Sequence, residues 1–401
     1  MAEDLVKLLV EHVEVGVPLP FDVLDLQNRL LLRKGSVVDS ETQLERLLER
    51  GLYLAQADFA EHFGAAAQQS GPGVAPAVLE SAWARLLQLQ ARLAQWLDAP
   101  FSGAQGATGS DPSPDGSAAA AALQHMACEV SALCALDGDA MLGAMTLLRH
   151  PSYCVRHSLC TALLTEMMLR RSPMPEAQRM STVAGALAMN LAMRHLQDAL
   201  YAQREPLDEE QKRAIQAHPT GAIPLLQAAG VTDTACLAVV SRHHEHADGT
   251  GYPGRLTSPT LDLGSQTVAL ADRYCALIGE RAYRDGAPAD QALKLLRERV
   301  GTALEPVVVR LLVHEVGDYP PGCPVRLVNQ ETGIVVSRTR DPGSRVVKAL
   351  RSALNAVYDD GPRRLTGQPA FAIERVIKLS ELGIDVDPAH LWGDTAKVGL
   401  R

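Results

Sequence analysis

Chemistry-bearing side chains crowd into one run, His243-His244-Glu245-His246-Ala247-Asp248-Gly249-Thr250-Gly251-Tyr252-Pro253. Adjacent imidazoles followed by a tight turn suit metal ligation at a helix end. Residues Cys236 to Arg242, small and apolar, read as a helix. The run from Asp248 cannot continue it, because Gly249 and Gly251 permit positive φ and Pro253 lacks an N–H. His243 and His244 therefore stand near a helix C-terminus and face a rigid loop. There imidazoles can be aimed at a cation and a loop can close over a ligand. On the histidines alone, a solvated His-rich helix end is the plain alternative.

The elements that must position this run are helical. Hydrophobic residues make up 47% of the 401-residue chain and aromatics only 4%, which favours helices over sheet. Apolar periodicity predicts helices over 118–149, 153–170, 176–200, 208–229, 233–247, 265–279, 289–300 and 305–315. A break at His150-Pro151-Ser152 gives Ser152 as an N-cap. Residues 118–316 thus form a helical bundle. Ahead of it, residues 1–60 read as a small α/β module for docking or dimerisation. Its strands cover Val17–Leu24 and Arg29–Arg33, followed by a capping box at Ser40–Gln43 and a stripe of Leu44, Leu47 and Leu48. Residues 61–117 are linker around an amphipathic helix, 77–99, whose stripe of Leu79, Trp83, Leu86, Leu87, Leu93, Trp96 and Leu97 needs a partner. Its own domain or a second subunit, hence a homodimer, would serve. Residues 317–401 form a β-containing extension with strands near Val325–Leu327, Gly333–Val336 and Phe371–Val376. The fold class is mainly α: a helical bundle with a small N-terminal α/β module and a short β-rich C-terminal extension.

A net charge of −9 with no basic stripe argues against a nucleic-acid partner. The acidic start Met-Ala-Glu-Asp is unlike a signal peptide, and no uninterrupted apolar run reaches about 18 residues. The expectation is a cytoplasmic protein without membrane insertion. Seven scattered cysteines without a C-x-x-C pair fit a reducing compartment.

The word H-H-E-x-x-D-G-x-G-Y-P resembles the signature of the HD-GYP family, bacterial cyclic-di-nucleotide phosphodiesterases with an HD-domain-like bundle. The resemblance implies metal ligands at His157, His218, His243, His244 and Asp272. It also implies a ligand or partner loop of Asp248, Gly249, Gly251, Tyr252 and Pro253. Arg281, Tyr283 and Arg284 resemble the family's R-x-Y-R, with Arg281 and Arg284 available to phosphate. Val316-Gly317-Asp318-Tyr319-Pro320-Pro321-Gly322 is similar to the extension after many family cores. The departure is the name-giving His-Asp dyad: Met189 and Asn190 stand in its place, and Met193 stands where a lysine is usual. Cys275 also replaces the second aspartate of a D-x-x-D pattern begun by Asp272. A bridging carboxylate offers two anionic oxygens to two cations. Asn190 offers one neutral oxygen, and Met189 a soft thioether.

The expected cofactor is therefore one divalent ion (zinc, iron or manganese) on His218, His243 and His244, or none. The expected function is a cyclic-di-GMP signalling protein with a degenerate domain and no phosphodiesterase activity. It would act through its loop on a GGDEF-domain or other signalling partner, or by sensing cyclic di-GMP. The alternative is a metal-dependent phosphodiesterase with an altered, mononuclear site; a purely structural helical module is the third reading.

Overall fold

The computed structural model describes residues 81–101, 116–258, 260–279 and 286–393, together with 5–7, 13, 16–24, 29–39, 43, 52–55 and 58. The chain divides into two compact units, residues 1–81 with 392–401 and residues 82–391.

In the first unit β1 (Leu5–Lys7), β2 (Val23–Leu24), β3 (Leu30–Leu32) and β4 (Tyr53–Ala55) form an antiparallel sheet in the order β1-β4-β2-β3. Val13, Leu19, Phe21, Val23, Val38, Leu52 and Leu54 fill its core. The expected first strand is shorter than its apolar pattern. Pro18 and Pro20 cannot donate to a ladder, and Pro18 makes only an isolated bridge to Val37. Strands β1 and β4 are too short for alternation to reveal. Most of the capping box and the Leu44–Leu48 stripe lie outside the described residues, as do 61–80 and 102–115.

The second unit begins with α1 (Ala82–Asp98), whose Trp83, Leu86, Leu89, Leu93, Trp96 and Leu97 are buried. They pack on α2 (Gly116–Leu136), α3 (Gly138–Leu147) and α4 (Tyr153–Leu169), so the stripe finds its partner within its own unit. Trp96 Nε1 donates to the Ala119 carbonyl at 2.9 Å. Leu79 of the expected stripe lies outside the described residues; among the described ones Leu87 alone is exposed, at 44%. The single expected helix over 118–149 divides where Asp137 accepts from the Ala140 N–H and caps α3. Ser117–Leu136 is long and apolar enough to cross a membrane, by length and composition only. Counting uninterrupted apolar runs passes over it because Gln124, His125 and Glu129 interrupt the pattern.

Helix α4 is capped by Ser152, as its sequence predicts, and is buried along nearly its whole length. It packs on α2, α5 (Glu176–Ala188) and α9 (Leu263–Ile278). The expected helix 176–200 is broken. Helix α5 stops at Ala188, Met189 and Asn190 carry the bend, and a 3-10 turn at Leu191–Met193 leads into α6 (Arg194–Ala202). No Gly or Pro marks the break, so local propensity gives no sign of it. Helix α7 (Glu209–Ala228) starts with a reciprocal capping box between Asp208 and Gln211. Helix α8 (Thr234–Arg242) is capped by Asp233, and α10 (Ala289–Arg297) and α11 (Pro306–Val316) complete the bundle.

An antiparallel sheet follows in the order β8-β7-β6-β5-β9: β5 (Pro324–Leu327), β6 (Thr332–Arg338), β7 (Arg345–Arg351), β8 (Arg363–Leu365) and β9 (Ile373–Val376). Its Arg338 binds Asp139 at 2.6 Å and Glu315 at 2.7 Å, joining β6 to α3 and α11. Gly322, at φ +88°, lies so close to Gly143 that a Cβ would come within 2.8 Å of its Cα.

Candidate metal and loop site

One proline inside a helix and one helix end build the histidine cluster. Pro219 lacks the N–H that would reach the Ile215 carbonyl one turn back, and the His218 imidazole takes that carbonyl through Nδ1 at 2.6 Å. Helix α8 ends at Arg242, so its last carbonyls lack helical donors; the His243 Nδ1 donates to Val240 at 2.7 Å. A carbonyl only accepts, so both rings carry their proton on Nδ1 and both Nε2 atoms are bare. These two lone-pair nitrogens face each other at 3.0 Å. His244 completes the group, with ligand atoms of all three histidines within 4.8 Å of one another.

The electrostatics favour neutral rings. Burial, helped by His243, drops the His218 pKa to about 3. Burial lowers His243 too, and burial followed by the His243 charge holds His244 well below its ordinary value. Protonation is therefore a poor way to relieve the facing lone pairs, whereas a divalent cation accepts all three. The residues fit such an ion.

His157 and Asp272 form a second group. His157 Nε2 donates to Asp272 Oδ1 at 2.6 Å, and its Nδ1 faces the Tyr153 hydroxyl at 3.3 Å. Burial alone would push the Asp272 carboxyl up. The His157 hydrogen bond, and the charges of His157, His244 and His243, override it and hold the carboxyl far below the usual range. The same carboxylate acts on His218, His243 and His244, so the two groups share one electrostatic site.

Met189 and Asn190 are both buried, and the Asn190 Nδ2 has no hydrogen-bond partner. Met193 is half-buried on the 3-10 turn. Ala192, on that turn, faces Gly221 on α7, three residues beyond His218. Arg281, Tyr283 and Arg284 lie outside the described residues.

The loop is locked to the histidines by Glu245, which spacing arguments passed over. Its buried carboxylate accepts from the Gly254 N–H at 2.5 Å and the Leu256 N–H at 2.8 Å. Tyr252 donates its N–H to the His244 carbonyl at 3.1 Å and stacks its ring on His244, centroids 4.7 Å apart. Asp248 accepts from the Thr250 N–H at 3.0 Å and hydroxyl at 2.6 Å, which closes the turn at Gly249, φ +74°. Gly251 admits no side chain, since a Cβ would meet His246 N at 2.4 Å and both Glu245 Cα and His244 O at 2.5 Å. The Tyr252–Pro253 peptide is cis. His246, the third histidine of the word, turns away to bond Thr250 and Arg273, and burial beside Arg273 lowers its pKa to about 4.

A family model described as the HD domain matches residues 142–308. A 3'3'-cGAMP-specific phosphodiesterase of Vibrio cholerae is 30% identical over 154 residues, 38% of this chain and 33% of that protein. A cyclic di-GMP phosphodiesterase of Pseudomonas aeruginosa is 26% identical over 210 residues, 52% of this chain and 50% of that protein. The chain therefore spans a third to a half of the length of these curated relatives. A solved HDG"Y"P protein from Bdellovibrio bacteriovorus aligns with a TM-score of 0.47 at 16% identity, covering 77% of this chain and 98% of that one. The mostly helical unit is an HD-domain fold, with a small strand module before it and strands after it.

Proposed function

We propose that this chain is a cyclic-di-GMP signalling protein whose HD domain holds one divalent ion and does not hydrolyse the nucleotide. The observation that carries the reading is the inequality of the two halves of the site. On one side stand His218, His243 and His244, their ligand atoms within 4.8 Å of one another. In the segment that resembles the family's dyad, where a bridging carboxylate would stand, Met189 and Asn190 are buried, and the Asn190 amide donor has no partner. An amide N–H repels a cation and cannot bridge two. The ion, when bound, supplies Lewis-acid polarisation of a phosphate oxygen. The chain's own residues fix three imidazoles as neutral acceptors, hold Asp272 ionised beside them and seat the loop over His244. With the catalytic half absent, output passes through the loop, whose Asp248, Thr250 and Pro253 are exposed, to a GGDEF-domain or similar partner.

Metal content and cyclic-di-GMP hydrolysis of the purified full chain, with manganese or ferrous iron added, test this reading. At most one ion per chain and no turnover are expected; two ions with turnover overturn it. The names of the relatives favour a second reading, a phosphodiesterase with a mononuclear site. Turnover at one ion per chain would select it.

A further inference from the structure

Where α3, α4 and α9 meet, three sulfur side chains come together that the histidine chemistry does not use: Met145, Cys160 and Cys275, each no more than 8% exposed. The Cys275 Sγ lies 3.7 Å from the Met145 Sδ. The Cys160 thiol donates to the carbonyl of Ala144, the neighbour of Met145, at 3.6 Å. Both thiols thus reach the same turn of α3. Burial, and after it the charge of Cys160, hold the Cys275 thiol well above its ordinary value. Burial pushes the Cys160 thiol up to about 11 against the charges of Arg156 and Arg149. Those two arginines line a cleft of about 300 Å³ beside the cluster. Among the described residues neither is in salt-bridge contact with a carboxylate. Arg149 donates to the backbone carbonyls of Thr146 and Leu148, and Arg156 lies over the rings of Tyr153 and Tyr201. Cys275 is also the residue that stands in place of the second aspartate of the D-x-x-D pattern.

We infer that Met145, Cys160 and Cys275 form a site for a soft monovalent cation of the copper(I) class. Thiolate and thioether sulfur are the polarizable donors that such an ion selects, whereas a harder divalent ion goes to imidazole and carboxylate. Metal–sulfur bonds near 2.3 Å put two sulfurs of a trigonal ion about 4 Å apart, close to the Cys275–Met145 separation. As each bond to a cysteine forms, the thiol gives its proton to solvent and the ion keeps its charge, so no oxidant or reductant is needed. Two thiolates around one monovalent cation leave one negative charge. The guanidiniums of Arg149 and Arg156, free of carboxylates, are placed to offset it, and their cleft gives the ion its way in. A peroxide-sensing thiol fits less well, because buried, protonated sulfur is a poor nucleophile. The site is separate from the histidine triad in donor type, and it does not depend on whether the chain hydrolyses a nucleotide.

Anaerobic titration of the full chain with copper(I), in competition with the chelator bicinchoninate, tests it. One ion per chain is expected to be taken from the chelator. Cys160→Ala and Cys275→Ala should each weaken uptake about a hundredfold or more, and Met145→Leu roughly tenfold. Cys128→Ser, at an exposed thiol, and His243→Ala, which disables the triad, should leave it within about twofold. Circular dichroism should show each variant folded. X-ray absorption of the copper-loaded wild-type chain, which needs no variant, should show sulfur neighbours near about 2.3 Å and no imidazole. No uptake against the chelator, uptake undiminished by both cysteine variants, loss on Cys128→Ser or His243→Ala, or a nitrogen-only shell around copper would each overturn the assignment.

Discussion

At the scale of single residues, the site is governed by where protons and lone pairs sit. His218, His243 and His244 stay neutral in the fold, whereas in the unfolded chain they protonate below about pH 6.5. The unfolded state then binds more protons, so stability falls as pH drops from about 6.5 towards about 3, where His218 titrates. Asp272, held low, adds stability that is present above its unfolded value near 4 and lost in more acid solution. The thermal midpoint of metal-free protein should drop between pH 7.5 and 5, and His218→Gln should shrink that drop. A flat profile would contradict the buried neutral cluster. Introducing a His-Asp dyad and a lysine tests the proposal for the other half of the site. Met189→His with Asn190→Asp and Met193→Lys should raise metal content above one per chain and produce cyclic-di-GMP turnover. Unchanged metal content in the folded triple variant would place the dyad elsewhere.

At the scale of elements, the turn after α8 is held by backbone proximity and one carboxylate. Gly251→Ala forces a Cβ into the backbone of residues 244–246 and should cost about 1–3 kcal/mol in denaturant unfolding. Glu245→Ala leaves the Gly254 and Leu256 amides without their acceptor, worth roughly 1.5–3 kcal/mol, and should speed hydrogen exchange at those amides. The histidines, the turn glycines and the cap at Ser152 were legible because each rests on local chemistry: an unclaimed carbonyl, a positive φ, a free N–H; the caps at Asp208 and Asp233 rest on the same chemistry but were not singled out. The break at Met189–Asn190 was not. Both residues tolerate a helix, and the bend is imposed by packing of the buried segment. The role of Glu245 was hidden too, since its partners lie 9 and 11 residues away.

At the scale of the second unit, one arginine couples the C-terminal sheet to the bundle. Arg338 joins Asp139 on α3 to Glu315 on α11, and Glu315 also receives Arg171. Burial raises the Asp139 pKa despite the nearby Arg338 charge, so the carboxylates depend on their cation. Arg338→Met should destabilise by about 2 kcal/mol or more and open β6 to protease before the helices. The mainly helical class was readable from apolar periodicity. Strands β7 and β8, rich in arginine, carried no alternating pattern to announce them.

The placement of Glu245 has a wider consequence. The residue that latches the turn is joined to the two imidazoles, whose ring and carbonyl seat the same turn. A lineage that gave up the reaction yet still needed the surface presented there would keep the whole word for architectural reasons. In such chains, an intact signature is a statement about shape. Whether the chain still performs chemistry must be read from the short bend after α5, where losing a ligand leaves the turn untouched.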